Sequence, residues 1–377
     1  MQIDDRSIAS LMTDQDEQDD NKILGLKWDK VDDNLVFEVN KLAKMGKALK
    51  KTKRNLLAMS ASCYDPLGVL AVVILPLKIV FQKLCQLGIS WDKELPEYYK
   101  GLWDEWCEVA GKLEPVRISR CFISTVEGIR GAKLVGFSDA SETAYACVVY
   151  LVAIQEKGGV ETGFIASKTK IAPLKKVTIP RMELLGAVIL SRLIKRIVDL
   201  LGKVMQIDEV ICLSDSQITL HWIGNKEGNY KQYVRNRTHE IRDNVGVGCW
   251  NFIEGKDNVA DIPSRGIVNS KFDQTQWVNG PDWLKAKKAG WPIRRLGENI
   301  HHDESSELLK AKNVLNLSTQ AKNALEDGDI LKLIDVTRYS NVDKLIRVTA
   351  WVLRAVKLFK TLGKREGNCE LVLETKQ

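Results

Sequence analysis

The stretch Gly136-Phe137-Ser138-Asp139-Ala140-Ser141 decides how this chain is read. It follows Lys133-Leu134-Val135 and leads into Ala144-Tyr145-Ala146-Cys147-Val148-Val149-Tyr150. Two apolar, β-branched runs flank a turn of Ser, Asp and Ser. That pattern sets a carboxylate at the end of a central strand, with a hairpin folding back beside it. A lone aspartate in such a place is ordinarily a turn or cap residue. Three further carboxylates downstream, each in its own recognisable setting, change the reading.

Working outward, residues 132–171 read as three strands, 133–137, 144–153 and 162–167, with a Lys157-Gly158-Gly159 turn. After Pro173 and Pro180 comes the clearest helix, 181–201. Its Leu184, Leu185, Val188, Ile189, Leu193, Ile197 and Leu200 recur at helical spacing, and Glu183 sits in its first turn. Residues 209–213 read as a strand ending in Ser214-Asp215-Ser216. A short helix through Trp222, a helix over 233–244 and a strand over 250–254 follow. Asn258 could cap a final short helix whose first turn holds Asp261. This order is an α/β pattern, a mixed sheet with covering helices.

Upstream, residues 1–22 carry seven aspartates and glutamates with few apolar residues and are expected to be disordered. Residues 22–28 and 34–39 look like two short strands. Lys41, Lys44, Lys47 and Lys50 then line one helix face, with Lys51, Lys53 and Arg54 beyond, either a solvated face or a phosphate-contacting one. Residues 55–113 read as a helical subdomain broken at Asp65-Pro66-Leu67-Gly68. Downstream of 266, tryptophans lie among Gly, Pro and Lys, and residues 341–362 form a basic amphipathic helix. The expected division is 1–22, 23–131, 132–266 and 267–377.

Composition sets further bounds. A net charge of +7 favours a polyanionic partner. Eight scattered cysteines with no C-x-x-C pair argue against a zinc knuckle or a disulfide framework and for a reducing compartment. No signal peptide is read, and the longest apolar run, 69–77, is far short of the ~20 residues that span a bilayer.

Asp139, Glu183, Asp215 and Asp261 form the candidate constellation. Strand ends and helix N-termini of an α/β layer can share one rim, so the four could converge. Converged carboxylates repel one another unless a cation is present. Oxygen-only ligands suit Mg²⁺ or Mn²⁺, and two ions about 4 Å apart suit phosphodiester cleavage. The competing reading makes each residue a turn or cap, helped by the helix dipole at Glu183 and Asp261.

The motifs Gly136–Ser141, Ser167-Lys168-Thr169-Lys170-Ile171-Ala172-Pro173, Ile179-Pro180-Arg181-Met182-Glu183-Leu184, Leu213-Ser214-Asp215-Ser216 and Asn258-Val259-Ala260-Asp261-Ile262-Pro263-Ser264-Arg265-Gly266 resemble the ribonuclease H domain of reverse transcriptases, in the version of Bel/Pao-type retrotransposons. Ile23–Trp28, Thr52-Lys53-Arg54 and Tyr64–Gly68 look like the thumb and connection of the same polyproteins, and Gly280–Leu284 and Leu345–Trp351 look like the linker before an integrase. The resemblance implies a ribonuclease H-like mixed sheet after a helical thumb/connection and before a helical linker. It implies metal-dependent cleavage of the RNA strand of an RNA–DNA hybrid, with the other parts of the polyprotein as partners. Asp139, Glu183, Asp215 and Asp261 become ligands of two Mg²⁺ ions. Lys168 and Arg181 become candidate phosphate contacts, and, from the basic face itself, Lys44, Lys47, Lys50 and Arg54 are expected to lie toward the duplex path. No membrane and no zinc are expected. The expected location is inside the cell, in a cytoplasmic retroelement particle or the nucleus.

Departures accompany the likeness. There is no Tyr-x-Asp-Asp polymerase motif and no integrase core, so polymerisation is not expected. The loop 248–259 lacks the histidine that many ribonucleases H place before the last aspartate, and Val259 stands where proline is usual. His221 and His239 read as packed or exposed residues. Two other readings stay open, a catalytically silent nucleic-acid-binding remnant and a protein-interaction module built on the C-terminal helix.

Overall fold

The computed structural model describes residues 22–23, 26–123, 128–267 and 273–296, and single positions at Glu307, Ile346, Ala350, Trp351 and Arg354. Two compact units divide the chain, 1–308 and 309–377. In the second, Ile346, Ala350, Trp351 and Arg354 are helical. The rest of the expected C-terminal helix, and the expected disordered N-terminus up to residue 21, lie outside the described residues. Among the described residues no helix is long and apolar enough to cross a membrane.

The first unit opens with β1 (Lys22–Ile23), β2 (Leu26–Asp29) and β3 (Asn34–Phe37), which join β4 (Val116–Ser119) in an antiparallel sheet of order β1-β2-β3-β4. Between β3 and β4 lie α1 (Asn40–Ala48), α2 (Lys53–Ser62), α3 (Ala71–Gln86) and α4 (Glu97–Gly111). Then come β5 (Ile129–Ala140), β6 (Ala144–Gln155), β7 (Val160–Ile171), α5 (Ile179–Leu201), β8 (Glu209–Ser214), α6 (Gln217–Gly224), α7 (Gln232–Asn244), β9 (Trp250–Ile253), α8 (Asp261–Arg265), α9 (Gln274–Asn279) and β10 (Ile293–Arg295). The main sheet runs β10-β9-β8-β5-β6-β7. β5, β6 and β7 are antiparallel neighbours, while β5, β8 and β9 are parallel, so the expected α/β mixed sheet with covering helices is the fold observed.

Period-2 alternation gives the sheet two apolar faces. One face presents Leu134, Cys147, Val149, Leu151 and Trp250 to Leu184, Val188 and Leu193 of α5 and to α6 and α7. The other presents Val135, Phe137, Val148, Tyr150 and Phe164 to the helices α2 to α4 and to Trp277, Leu284 and Trp291. Residues 273–296, read from sequence as linker, thus cover a sheet face and add β10. Tyr150 Oη donates to the Trp277 carbonyl at 2.7 Å, and Trp277 Nε1 donates to the Val69 carbonyl at 2.9 Å.

Two devices join the helices to the sheet. The Asp65 carboxylate accepts the Val69 and Leu70 amides at 2.9 and 2.7 Å, which folds Asp65–Gly68 into a tight turn. That turn lies along the edge strand β7. Ser167 N donates to the Leu67 carbonyl at 2.8 Å, and Ser167 Oγ to the Gly68 carbonyl at 2.5 Å. An edge strand is thereby covered. The second device is Pro76 inside α3. Proline lacks the amide that would bond Val72, four residues back. The freed Val72 carbonyl accepts Ile267 N at 3.1 Å, pinning the chain just after α8.

Gly68 has φ +78°, and a Cβ there would lie 2.2 Å from the Ser167 carbonyl oxygen. Gly68→Ala should therefore combine left-handed strain with a backbone clash and cost on the order of 2 kcal/mol or more. Denaturant unfolding checks this. A midpoint unchanged from wild type would mean the turn does not hold β7.

Candidate active site

The site is built at the ends of the two central parallel strands. Ser138 of β5 stands opposite Ser214 of β8, so Asp139 and Asp215, each one residue on, emerge side by side. Ser216 then caps α6, its side chain accepting Thr219 N at 3.3 Å. Glu183 comes from the second turn of α5, because that helix begins at Ile179, two residues before the expected start. Pro180 is tolerated there, where amides have no intrahelical partner. The expected first-turn placement of Glu183, and the helix-dipole support that went with it, are corrected accordingly. Gly186 lets α5 pass close to β5, since a Cβ at that position would lie 3.1 Å from the Asp139 carbonyl.

Asp139, Glu183 and Asp215 each present one carboxylate oxygen within 4.8 Å of the others. Asp139 and Glu183 are buried and Asp215 is half-buried. Asp261, at the start of α8, is not part of this group. Its Oδ1 accepts Arg265 Nε at 2.5 Å, and its side chain is 41% exposed. The structure therefore brings three of the four expected carboxylates together and leaves the fourth beside them, held by an arginine one turn along its own helix.

Electrostatics mark the three as a strained set. Burial pushes the Asp139 carboxyl up from its ordinary 3.8 to about 7, opposed by a Ser264 hydrogen bond and aided by the charges of Asp215 and Asp261. Burial likewise raises Glu183 from 4.5 to about 9, with Asp139 and Asp215 adding repulsion. Asp215 is also raised by burial, with the Asn258 amide opposing. Glu183 Oε2 is buried without a hydrogen-bond partner. A buried, unsatisfied oxygen among raised carboxylates is costly unless something cationic meets it. An all-oxygen donor set fits a hard divalent cation, so the residues present suit the expected metal.

Two residues order this set. Asn258 Nδ2 donates to the Ser138 carbonyl at 3.0 Å and to Asp215 Oδ1 at 3.3 Å, while its Oδ1 accepts Ala260 N at 3.2 Å. It ties both strand ends to the loop that carries Asp261. The buried Ser264 hydroxyl donates to Asp139 Oδ2. Sequence reading took Asn258 as a helix cap and gave Ser264 no role. Their places three residues either side of Asp261 were the available signal.

The expected phosphate contacts fall in different settings. Lys168 is exposed on β7. Lys44 and Lys47 are exposed on α1, and Lys50 is exposed just after it. Arg54 is held by Asp92 through bonds of 2.7 and 2.9 Å. Arg181 is held by Glu307 through two bonds of 2.9 Å. An open groove of about 360 Å³ beside the carboxylates is lined by Ile179, Pro180, Glu183, Asp215, Ser216 and Phe252, among others.

Comparison with known proteins adds a likeness over part of the chain. No curated protein matches the sequence. Similar solved structures include RNase H1 from the halophilic archaeon Halobacterium salinarum NRC-1, 13% identical, covering 34% of this chain and 88% of that one, with a TM-score of 0.23. LC11-RNase H1, isolated from compost by a metagenomic approach, is 16% identical over 36% of this chain and 93% of that one, with a TM-score of 0.25. A foamy viral protease-reverse transcriptase in complex with RNA/DNA hybrid is 12% identical over 57% of this chain and 27% of its own, with a TM-score of 0.33. A family model described as a Pao retrotransposon-like RNaseH-like domain matches residues 52–216. The matched stretch, from the N-cap of α2 through Asp215 and Ser216, is similar to a Pao retrotransposon-like RNaseH-like domain.

Proposed function

We propose that this chain hydrolyses the RNA strand of RNA–DNA hybrids, as the ribonuclease H part of a retroelement polyprotein. The observation that carries this reading is the buried Glu183 Oε2, unpartnered within a group of three carboxylates at strand ends. Asp139, Glu183 and Asp215 would hold Mg²⁺, with Asp261 completing the set once it leaves Arg265. Bound divalent ions would activate water for attack and stabilise the leaving oxygen. The chain's own residues do the rest. Ser264 fixes which oxygen of Asp139 faces the cluster, and Asn258 fixes the Asp215 carboxylate. The groove along Pro180, Ser216 and Phe252 offers room for a nucleic-acid backbone, and the 2′-hydroxyl would distinguish the RNA strand.

One observation favours the second reading, a silent nucleic-acid-binding remnant. The Arg265 guanidinium already pairs with Asp261, so that carboxylate is engaged. The two readings separate in a cleavage assay on labelled hybrid with Mg²⁺.

Asp139→Asn is expected to abolish Mg²⁺-dependent cleavage while keeping the fold and most hybrid affinity. Asparagine keeps the shape and loses the charge a cation needs. A mutant that cuts as fast as wild type would make Asp139 a turn residue.

Stability should follow pH with a definite sign. Asp139 and Glu183 have folded values raised above their unfolded ones, so the native state holds extra protons between 3.8 and about 7 and between 4.5 and about 9. In chelator the melting temperature should fall as pH rises through that window. Mg²⁺ or Mn²⁺ should restore more stability at the alkaline end than at the acid end. Equal metal effects at both ends would show that the cluster holds no cation.

Neutralising Lys44, Lys47 and Lys50 together should weaken hybrid binding and flatten its salt dependence by roughly one unit of slope per lost phosphate contact. Arg54→Gln should change the slope little, because Asp92 already engages that side chain. An unchanged slope in the triple variant would leave α1 a solvated face.

A further inference from the structure

Glu307 is the one described residue between 297 and 345, and it is buried. Its carboxylate meets the Arg181 fork in parallel, Nε to Oε1 and Nη2 to Oε2, both at 2.9 Å. Its carbonyl accepts Lys231 N at 2.8 Å. The Arg181 guanidinium lies 4.6 Å from the centre of the Tyr233 ring, and the Arg237 guanidinium lies 3.4 Å from the same ring. Arg237 Nη1 also donates to the Tyr233 carbonyl at 3.0 Å. A tyrosine thus carries two arginines at the N-terminal end of α7. Arg237 makes no ion pair among the described residues, so the seat holds more positive charge than Glu307 neutralises.

Planar guanidinium forks bind carboxylates and phosphates with the same bidentate geometry. Here the fork is oriented by an aromatic face and is only partly exposed, which adds to what the pairing contributes. Arg181 follows Pro180 and precedes Glu183 by two residues, and both of those line the groove at the carboxylate cluster. Arg181 is not among the residues lining the groove, and two positions along a helix turn its side chain away from Glu183, so a duplex would meet the fork by running on past the start of α5 toward α7. Arg181 cannot pair fully with both Glu307 and a phosphate.

We infer that Arg181, Tyr233 and Arg237 form a phosphodiester seat beside the carboxylate cluster, and that Glu307 occupies it as an internal competitor of the nucleic acid. The choice of ligand rests on the hybrid-cutting reading. The pairing itself rests on the contacts above. Glu307 thereby sets the affinity of the chain for its duplex. Removing its charge frees the fork and adds one phosphate contact.

The test measures binding of a short RNA–DNA hybrid to the full chain in chelator, where no cleavage occurs, across a salt series. Glu307→Gln should tighten binding about tenfold and steepen the salt dependence by roughly one unit. Arg181→Met should weaken binding and erase the gain when combined with Glu307→Gln. Arg237→Gln, made in the otherwise native chain, should weaken binding with the Arg181–Glu307 pair left in place. This variant keeps the inference testable if the Glu307 change unfolds the protein. Equal affinity and slope for Glu307→Gln and wild type would overturn the competition. A gain that survives Arg181→Met, or an Arg237→Gln variant that binds as wild type, would overturn the seat. A chain that shows the expected shifts but never cuts hybrid with Mg²⁺ keeps the seat and loses the nuclease reading. One that cuts without the shifts does the reverse.

Discussion

The withdrawal of three clustered carboxylates from water, two of them buried and one half-buried, is the constraint on which the rest of this site depends. One carboxylate oxygen from each of Asp139, Glu183 and Asp215 lies within 4.8 Å of the others, two of these residues being buried and Asp215 half-buried. Nothing in folding rewards that arrangement. Desolvation raises all three carboxyls, and nearby charges raise them further: Asp215 and Asp261 act on Asp139, Asp139, Asp215 and Asp261 on Glu183, and Asp261 on Asp215. The surrounding structure must hold them by force. Two strands in parallel register fix Asp139 and Asp215, and α5, brought close by Gly186, fixes Glu183. Strain of this kind, concentrated where hydrogen bonds are incomplete, marks a place built to receive something.

The neighbours of the cluster moderate the repulsion without removing it. The Ser264 hydroxyl and the Asn258 amide each supply a donor to a different carboxylate. Neither reaches Glu183 Oε2. Arg265 pairs with Asp261, whose charge still reaches the cluster and raises Asp139, Glu183 and Asp215. The same pattern recurs along α5, where Glu307 neutralises Arg181. Around the groove, then, both an acid and a base that could serve a nucleic acid or a cation are already paired within the chain.

Much of this was legible in the sequence, for reasons that differ between residues. Asp139 and Asp215 were readable because β-branched runs ending in Ser-Asp-Ser or Ser-Asp-Ala-Ser specify a strand and its terminus locally. The helix carrying Glu183 was readable from its period, although its start was placed two residues late because Pro180 looked like a boundary. The position of Asp261 relative to the cluster was not readable, since a neighbour four residues on could pair with it or leave it free. Arg181 was singled out by motif, yet its partner is 126 residues away. The role of residues 273–296 was hidden because tryptophans among Gly, Pro and Lys have no period that says which surface they cover.

That hidden cover explains why the sheet is not a self-sufficient unit ending at residue 266. One of its faces, with Val135, Phe137, Val148, Tyr150 and Phe164, is closed by α2 to α4 and by Trp277, Leu284 and Trp291. Without them a large apolar surface would meet water. The dependence extends to the site through a single missing donor. Pro76 leaves the Val72 carbonyl unbonded within α3, and Ile267 N takes it. That bond anchors the chain two residues beyond Arg265, at the end of the short helix that supplies both Asp261 and Ser264. Five residues of helix carry little stability of their own. The geometry of the Asp139 carboxylate is therefore set, through Ser264 and Ile267, by a proline within α3.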